Sequence, residues 1–278
     1  MAPHDAVLGW DEASTVEAYA AFTRNFPMYG ATSRSLARRA GLAHSRLVVD
    51  LCGGSGATAR AVLQHAPAQA RVISLDQSAA MQRVGRRTLS DPRLTWVTAP
   101  AEDLAARVPG PVDAVVCNSA IWKTDVPAVC AAVHRVLRPG GRFVFNIGGG
   151  FAGVRHPEES TSSRPSLNTL LHQVAARSYG YSPPPTAPAT PKLPLATVTR
   201  HLADAGLTVL NSEVTAHHGT MAEKRAWLSI PLFARPDGDF THEQRIRILD
   251  EAYALTTPGA RTVTSWLVVV AVRPEEQR

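Results

Sequence analysis

The residue types best suited to chemistry cluster at the end of one short apolar run. Val48-Val49-Asp50-Leu51-Cys52-Gly53-Gly54-Ser55-Gly56 puts a carboxylate and three glycines together, and an amphipathic stretch opens near Ala57. Glycines at a strand-to-helix turn let a ligand approach bare backbone at a helix N-terminus. Read literally, Gly54-Ser55-Gly56-Ala57-Thr58-Ala59 matches G-x-G-x-x-A, and Asp76 follows Gly56 by 20 residues. That pattern is shared by dinucleotide-binding loops, so the glycines alone leave the ligand open. The three cysteines, Cys52, Cys117 and Cys130, are odd in number and lack C-x-x-C spacing, which suggests neither a disulfide framework nor a metal cluster.

Asp50 separates the readings. A carboxylate at the strand tip would face a pyrophosphate, and like charges in a partly desolvated cleft are costly. A ligand with an ammonium is favoured there, whereas the plainer alternative is that Asp50 only caps the turn. S-adenosylmethionine has such an ammonium, a ribose whose two hydroxyls suit Asp76, and an adenine without phosphate.

The elements that must position these residues follow from periodicity. Leu47–Leu51, Val72–Leu75, Leu94–Val97, Val112–Cys117 and Arg142–Ile147 are strand-like runs with amphipathic stretches between them, the βαβα signature of a parallel sheet. One helix is expected from about Val126 to Leu137, ended by Pro139-Gly140-Gly141. Residues 14–40 read as helical, with Ser14 and Glu17 at capping-box spacing. A helix-like stretch covers Leu167–Ser178, six prolines crowd Pro183–Pro194, and helix Leu195–Ala205, strand Leu207–Val214 and strand Thr262–Val272 follow. Thr241 with Gln244 opens a further helix through Ile246, Leu249 and Tyr253. The expectation is one α/β domain: a helical cap over 1–46, a cofactor half over 47–148, an acceptor-side excursion over 149–194, and a C-terminal part over 195–278 with an insertion at 216–261.

Four segments in this order resemble the class I S-adenosylmethionine-dependent methyltransferases, particularly the small-molecule group similar to the ubiquinone/menaquinone enzymes. They are the Asp50 loop; Leu75-Asp76-Gln77-Ser78 with Met81; Ala101-Glu102-Asp103-Leu104; and Val136-Leu137-Arg138-Pro139-Gly140-Gly141-Arg142. The resemblance implies a Rossmann-like, doubly wound, mostly parallel seven-stranded sheet with an antiparallel last strand. It implies that Asp50, Cys52, Gly53, Gly54 and Gly56 hold the methionine part, that Asp76 holds the ribose hydroxyls beside Gln77 and Met81, and that Asp103, with Glu102 and Leu104, takes the adenine amino group. One departure is visible: the family usually has glycine where Cys52 stands.

Methyl transfer from a sulfonium needs alignment more than activation, and needs a base only when the nucleophile must lose a proton. Ligands gather at the carboxyl ends of parallel strands, which points to Asn118, Ser119 and Trp122 after the fourth strand and to Phe151 after the fifth. Trp122 is equally readable as a core aromatic. His217 and His218, expected just beyond the sixth strand, are the candidates for a base, although a histidine at either position is also readable as a surface residue; His156 and Tyr29 are candidate acceptor contacts. The N-terminal aromatics Tyr19, Phe22, Phe26 and Tyr29 suit either a lid over the cleft or a staple to the sheet.

Composition narrows the classes. The chain has 278 residues, 45% hydrophobic and 19% charged, which suits a globular protein and excludes disorder as its dominant state. The formal charge is +6, yet only Lys123, Lys192 and Lys224 among the 29 basic residues are lysines, and the arginines are dispersed at helical spacing. Dispersed arginine reads as solvated helix faces rather than a nucleic-acid footprint. Asn118-Ser119-Ala120-Ile121 also lacks the Asn-Pro-Pro-aromatic arrangement that resembles base methylation. No run reaches the ~20 apolar residues of a membrane span, and no signal-peptide order opens the chain, so an intracellular, cytoplasmic protein is expected. Its expected partners are a small-molecule acceptor, a secondary metabolite, and a second copy of itself as a homodimer; no nucleic acid, membrane or metal is expected. A cyclisation or rearrangement on the same cofactor-binding fold is the alternative, and NAD-dependent oxidation is disfavoured by Asp50.

Overall fold

The computed structural model describes residues 9–160, 165–182 and 192–275. Most of the proline-rich stretch, at 183–191, lies outside the described residues. In chain order the elements are α1 (Ala13–Asn25), α2 (Met28–Arg39), β1 (Leu47–Leu51), α3 (Ala57–His65), β2 (Arg71–Asp76), α4 (Ala79–Thr88), β3 (Leu94–Thr98), α5 (Leu104–Arg107), β4 (Val112–Asn118) and α6 (Val126–Val136). There follow β5 (Leu137–Gly148), α7 (Gly149–Ala152), α8 (Pro157–Ser160), α9 (Leu167–Ser178), α10 (Leu195–Asp204), β6 (Thr208–Thr220), α11 (Met221–Leu228), α12 (His242–Ala254) and β7 (Arg261–Val272).

The strands form one seven-stranded sheet in the order β3-β2-β1-β4-β5-β7-β6. β1 to β5 pair in parallel and β7 runs antiparallel between β5 and β6. Strand order reverses between β1 and β4, and that is where a parallel sheet opens a crevice at its carboxyl edge. Successive residues of β1 divide between the faces: Val49 and Leu51 join the core under α6 and α10, while Val48 joins the core under α2 and α3. Burial on both faces explains why the central strands read as continuous apolar runs.

Three expectations shift. The helical span 14–40 is two helices, because the residue before Pro27 is pushed out of the helical region and Phe26 is extended, at φ −127° and ψ 144°. Ser14 lies inside α1, whose N-cap is Glu12 with no side-chain cap, so the first capping box does not form. The second does: Thr241 and Gln244 cap α12 reciprocally. β6 runs past Val214 to Thr220, so His217 and His218 lie within the strand, paired with Thr264 and Val263 of β7. β5 pairs with β7 only as far as Gly148 opposite Trp266, and beyond that point β6 and β7 continue as a two-stranded arm.

That arm carries the helical additions. Leu167, Leu171 and Ala175 of α9 bury against Leu228 of α11 and Ile248, Leu249 and Ala252 of α12, a core separate from the two sheet cores. One helix of the first long excursion, α9, therefore packs on two of the second, α11 and α12. Among the described residues no helix is long and apolar enough to cross a membrane.

Leu171 is fully buried in this small core. Leu171→Ala should cost about 2–5 kcal/mol there through lost burial and a residual cavity. Hydrogen exchange should show faster exchange in α9 and α12 with β1 to β5 unchanged; equal acceleration throughout the sheet would contradict a separate core.

Candidate functional site

The turn after β1 is set by contacts below and beside it. Asp50 is fully buried in β1, opposite Ser74 of β2, and its Oδ2 accepts bonds from the Ala59 amide (2.9 Å) and the Ser74 hydroxyl (3.2 Å). Its Oδ1 has no partner among the described residues. A Cβ at Gly53 would run into the Ser74 hydroxyl and the Asp50 carboxylate, so only glycine fits directly above them. Cys52 and Gly54 both take left-handed backbone, at φ 55° and φ 54°. That conformation accounts for glycine being usual where Cys52 stands. Among the described residues nothing lies within 4 Å of where a Gly54 Cβ would sit, so its backbone is open to a ligand.

Asp76 at the end of β2 stitches the turn to the next helix. Its Oδ2 accepts from the Gly54 amide (2.9 Å) and its Oδ1 from the Ser78 amide (2.7 Å). Burial raises both carboxyls. For Asp50 it prevails over the Ser74 and Ala59 bonds and pushes the group up to about 8. For Asp76 it is opposed by the Ser78 and Gly54 amides and by Lys123.

Beside this turn lies a cavity of about 560 Å³ at the carboxyl ends of β1, β2 and β4. Of the residues singled out for a cofactor, Cys52, Gly54, Asp76, Gln77, Met81, Glu102, Asn118 and Ser119 line it. The others do not. Asp50 is turned toward α3 beneath the loop, Gly53 and Gly56 form the turn, Asp103 is exposed, and Leu104 is fully buried in the core. Glu102, not Asp103, is thus the acid on the wall, with its Oε1 accepting the Asp125 amide at 2.8 Å.

Asn118 also ties the roof down. Its Nδ2 donates to the hydroxyls of Thr32 (3.1 Å) and Ser33 (2.9 Å) on α2, and the Ser119 amide donates to Asn146 Oδ1 at 2.7 Å. Tyr19 of α1 and Tyr29 of α2 line the cavity. Phe22 and Phe26 stack on each other at 5.2 Å, and Phe22 packs edge-on to Tyr29. The N-terminal aromatics divide into two that line the cavity and two that support them.

Sequence reasoning missed part of this wall. Asp11 Oδ1 accepts from the Ser78 hydroxyl (2.7 Å) and so pins Trp10 at the rim. Lys123 places its ammonium 3.9 Å from the Trp10 ring centroid. Burial lowers the Lys123 ammonium to about 8, against the pull of Cys52, Asp76 and Cys117. Neither contact has a local signal, since each joins segments far apart in sequence.

A second cavity, of about 470 Å³, shares Trp10, Tyr29, Ser119 and Lys123 with the first. Trp122 and Phe151 stack at 3.9 Å on one part of its wall, and Trp227 and Phe233 at 4.2 Å on another. The Trp227 indole donates to the Tyr29 hydroxyl at 3.3 Å, and burial pushes that phenol up to about 12. Tyr29, Trp122 and Phe151 are thus cavity residues, whereas His156 lies outside the wall with its amide bonded to Ser265 Oγ at 2.7 Å.

The two histidines expected to act as a base also lie outside both cavities. His218 is half-exposed, bonded to Glu158 at 2.7 Å, and borders a separate depression. His217 is buried behind Glu223, with its Nε2 2.8 Å from Glu223 Oε2. The group that reaches the second cavity is Glu223, whose Oε1 accepts the Met28 amide at 3.0 Å. The Thr220 hydroxyl caps α11 by accepting the Glu223 amide, a spacing that could have singled out this glutamate.

Residues 48–141 match the family described as a methyltransferase domain. The chain is 37% identical over 111 residues, 39% of its length and 42% of the relative's, to a trans-aconitate 2-methyltransferase of Azoarcus sp.. It is 31% identical over 121 residues, 43% of its length and 46% of the relative's, to the ubiquinone/menaquinone biosynthesis C-methyltransferase UbiE of Rubrivivax gelatinosus. These matches therefore span less than half of either relative. The crystal structure of the cyclase SpnF superposes with a TM-score of 0.54 at 13% identity, covering 89% of this chain and 81% of that one. At that identity the likeness is one of fold.

Asp50 supplies a pH test of the loop. Its carboxyl is raised from 3.8 to about 8 on folding, so between those values the native state keeps a proton that the unfolded chain has lost. This contribution to stability is fully present below 3.8 and is lost as pH rises through about 8. Urea unfolding across that range should show the native protein losing stability relative to Asp50→Asn. Parallel pH curves for the two proteins would contradict the buried carboxyl.

Proposed function

With residues 48–141 matching a methyltransferase domain, we propose that the protein is a class I S-adenosylmethionine-dependent enzyme that methylates O, N or C of a small organic acceptor, a secondary metabolite, held in the second cavity. The observation that supports this reading is the shared rim. Trp10, Tyr29, Ser119 and Lys123 border both cavities, so a donor in one chamber and an acceptor in the other meet across a single opening. Two chambers joined in this way suit an in-line displacement, in which alignment supplies most of the rate.

The cofactor brings a methyl group on a sulfonium that is already a good leaving group. The first cavity fits it in its donor set. Asp76 presents a carboxylate to two hydroxyls while using its remaining lone pairs on backbone amides, Gly54 presents bare backbone, and Met81 offers an apolar wall. Asp50 acts from beneath, holding the turn rather than touching the ligand. Tyr19 and Tyr29 on the cavity wall would help to exclude water from the reacting atoms.

In this reading the excursions 149–194 and 216–261 are acceptor-side walls of a single domain. Where the acceptor must lose a proton, Glu223 is the group placed to accept it, and His217 is a positioning residue that fixes the glutamate from behind. Calorimetry should show S-adenosylhomocysteine binding one to one, weakened about ten- to a hundredfold by Asp76→Ala. Affinity unchanged by that substitution would overturn the ribose assignment. Methyl-labelled cofactor incubated with candidate acceptors should pass label to product, and Glu223→Gln should slow that transfer while leaving S-adenosylhomocysteine affinity intact. Loss of affinity and rate together would make Glu223 a structural support instead.

A further inference from the structure

All three lysines of the chain line the second cavity, in a sequence that uses arginine almost everywhere else. With Arg235, four basic side chains there face two carboxylates, Glu159 and Glu223. Both carboxylates are engaged within the protein, Glu223 by His217 and the Met28 amide and Glu159 by the Ser265 hydroxyl. Arg235 is paired with Asp237 at 3.3 Å.

The lysines are different. Among the described residues the ammonium of none of the three has a hydrogen bond or an ion pair. Each ammonium lies over an indole instead: Lys123 at 3.9 Å from the Trp10 centroid, Lys192 at 4.6 Å from Trp122, and Lys224 at 4.7 Å from Trp227. A ring face holds a cation in place without consuming its N–H donors, so each lysine keeps three donors for something else. Burial lowers the Lys224 ammonium below its ordinary range, with only the more distant charges of Glu159 and Glu223 pulling back. A desolvated cation with unused donors is stabilised by an anion brought to it.

The rest of the wall is flat and apolar. Four of the five tryptophans, Trp10, Trp122, Trp227 and Trp266, line the cavity, and two of them are stacked on phenylalanines. Trp10 and Trp266 have indole N–H groups with no acceptor among the described residues. Planar apolar walls with donors of positive charge suit one kind of molecule.

We propose that the acceptor is an aromatic or conjugated organic anion, whose acidic group is held by Lys192 and Lys224 and whose planar part lies against the stacked Trp122–Phe151 and Trp227–Phe233 pairs. The inference rests on reading the second cavity as the acceptor chamber. It gives a reason for lysine at these positions: a compact ammonium on a flexible stem can follow a small anion, where a guanidinium already stacked on a ring would fix one geometry.

A matched pair of fluorescent probes tests the proposal on the full chain with S-adenosylhomocysteine present. Anilinonaphthalenesulfonate is a planar aromatic anion, and N-phenylnaphthylamine is the same skeleton without the sulfonate. The sulfonate should bind saturably, one to one, and Lys192→Met and Lys224→Met should each weaken it about tenfold. The uncharged probe should change by less than about twofold. Sulfonate affinity unmoved by both methionine variants, or no saturable binding to the native protein, would overturn the anionic acceptor. S-adenosylhomocysteine affinity, measured by calorimetry on the same proteins, reports separately. Its retention in the variants shows them folded, and its absence in the native protein would defeat the cofactor reading without touching the lysine result.

Discussion

The site depends on one constraint: a turn that leaves β1 tightly enough for its backbone to face a ligand must be held from below by a buried acid and from the side by another. Asp50 bonds the Ala59 amide at the first turn of α3 and the Ser74 hydroxyl on β2, so strand, turn and helix share one anchor. The space left above that anchor admits only a glycine, Gly53. Asp76 then binds the amides of Gly54 and Ser78, which joins the turn to the start of α4. With these contacts in place, the strand reversal between β1 and β4 becomes a cavity with fixed walls.

The roof depends on the same frame at one remove. Asn118 at the end of β4 hydrogen-bonds α2, and Glu223 bonds the first amide of that helix from the far side. α2 is therefore held between the cofactor-side strands and the β6–α11 junction. Tyr29, on its first turn, lines both cavities and takes a hydrogen bond from Trp227. Coupling of the two chambers through one helix explains how separate excursions of the sequence build a single opening.

Much of this was legible because it is local. Apolar runs marked the strands to within a residue or two for β1 to β4, the Thr241–Gln244 pair marked the start of α12, and the glycine loop marked the crevice. What stayed hidden depends on contacts between distant segments. Met28 meets Glu223 across 195 residues, and Tyr29 meets Trp227 across 198. The polar end of β6, from Thr215 to Thr220, carries no apolar alternation, so the sequence pattern ends the strand before the His217 and His218 that it contains. Residue type pointed to those histidines as the base; burial places one of them behind the glutamate that reaches the cavity. The positive charge reads in sequence as dispersed arginine on helix faces, and the scarce lysines, converging on one cavity, carry the more specific information.

The most direct test is a crystal structure of the full chain with S-adenosylhomocysteine. The account predicts the ribose hydroxyls on the Asp76 carboxylate and the sulfur turned toward the rim formed by Tyr29, Ser119 and Lys123, facing the second cavity. A nucleoside bound away from Asp76, or a sulfur facing away from that rim, would contradict it.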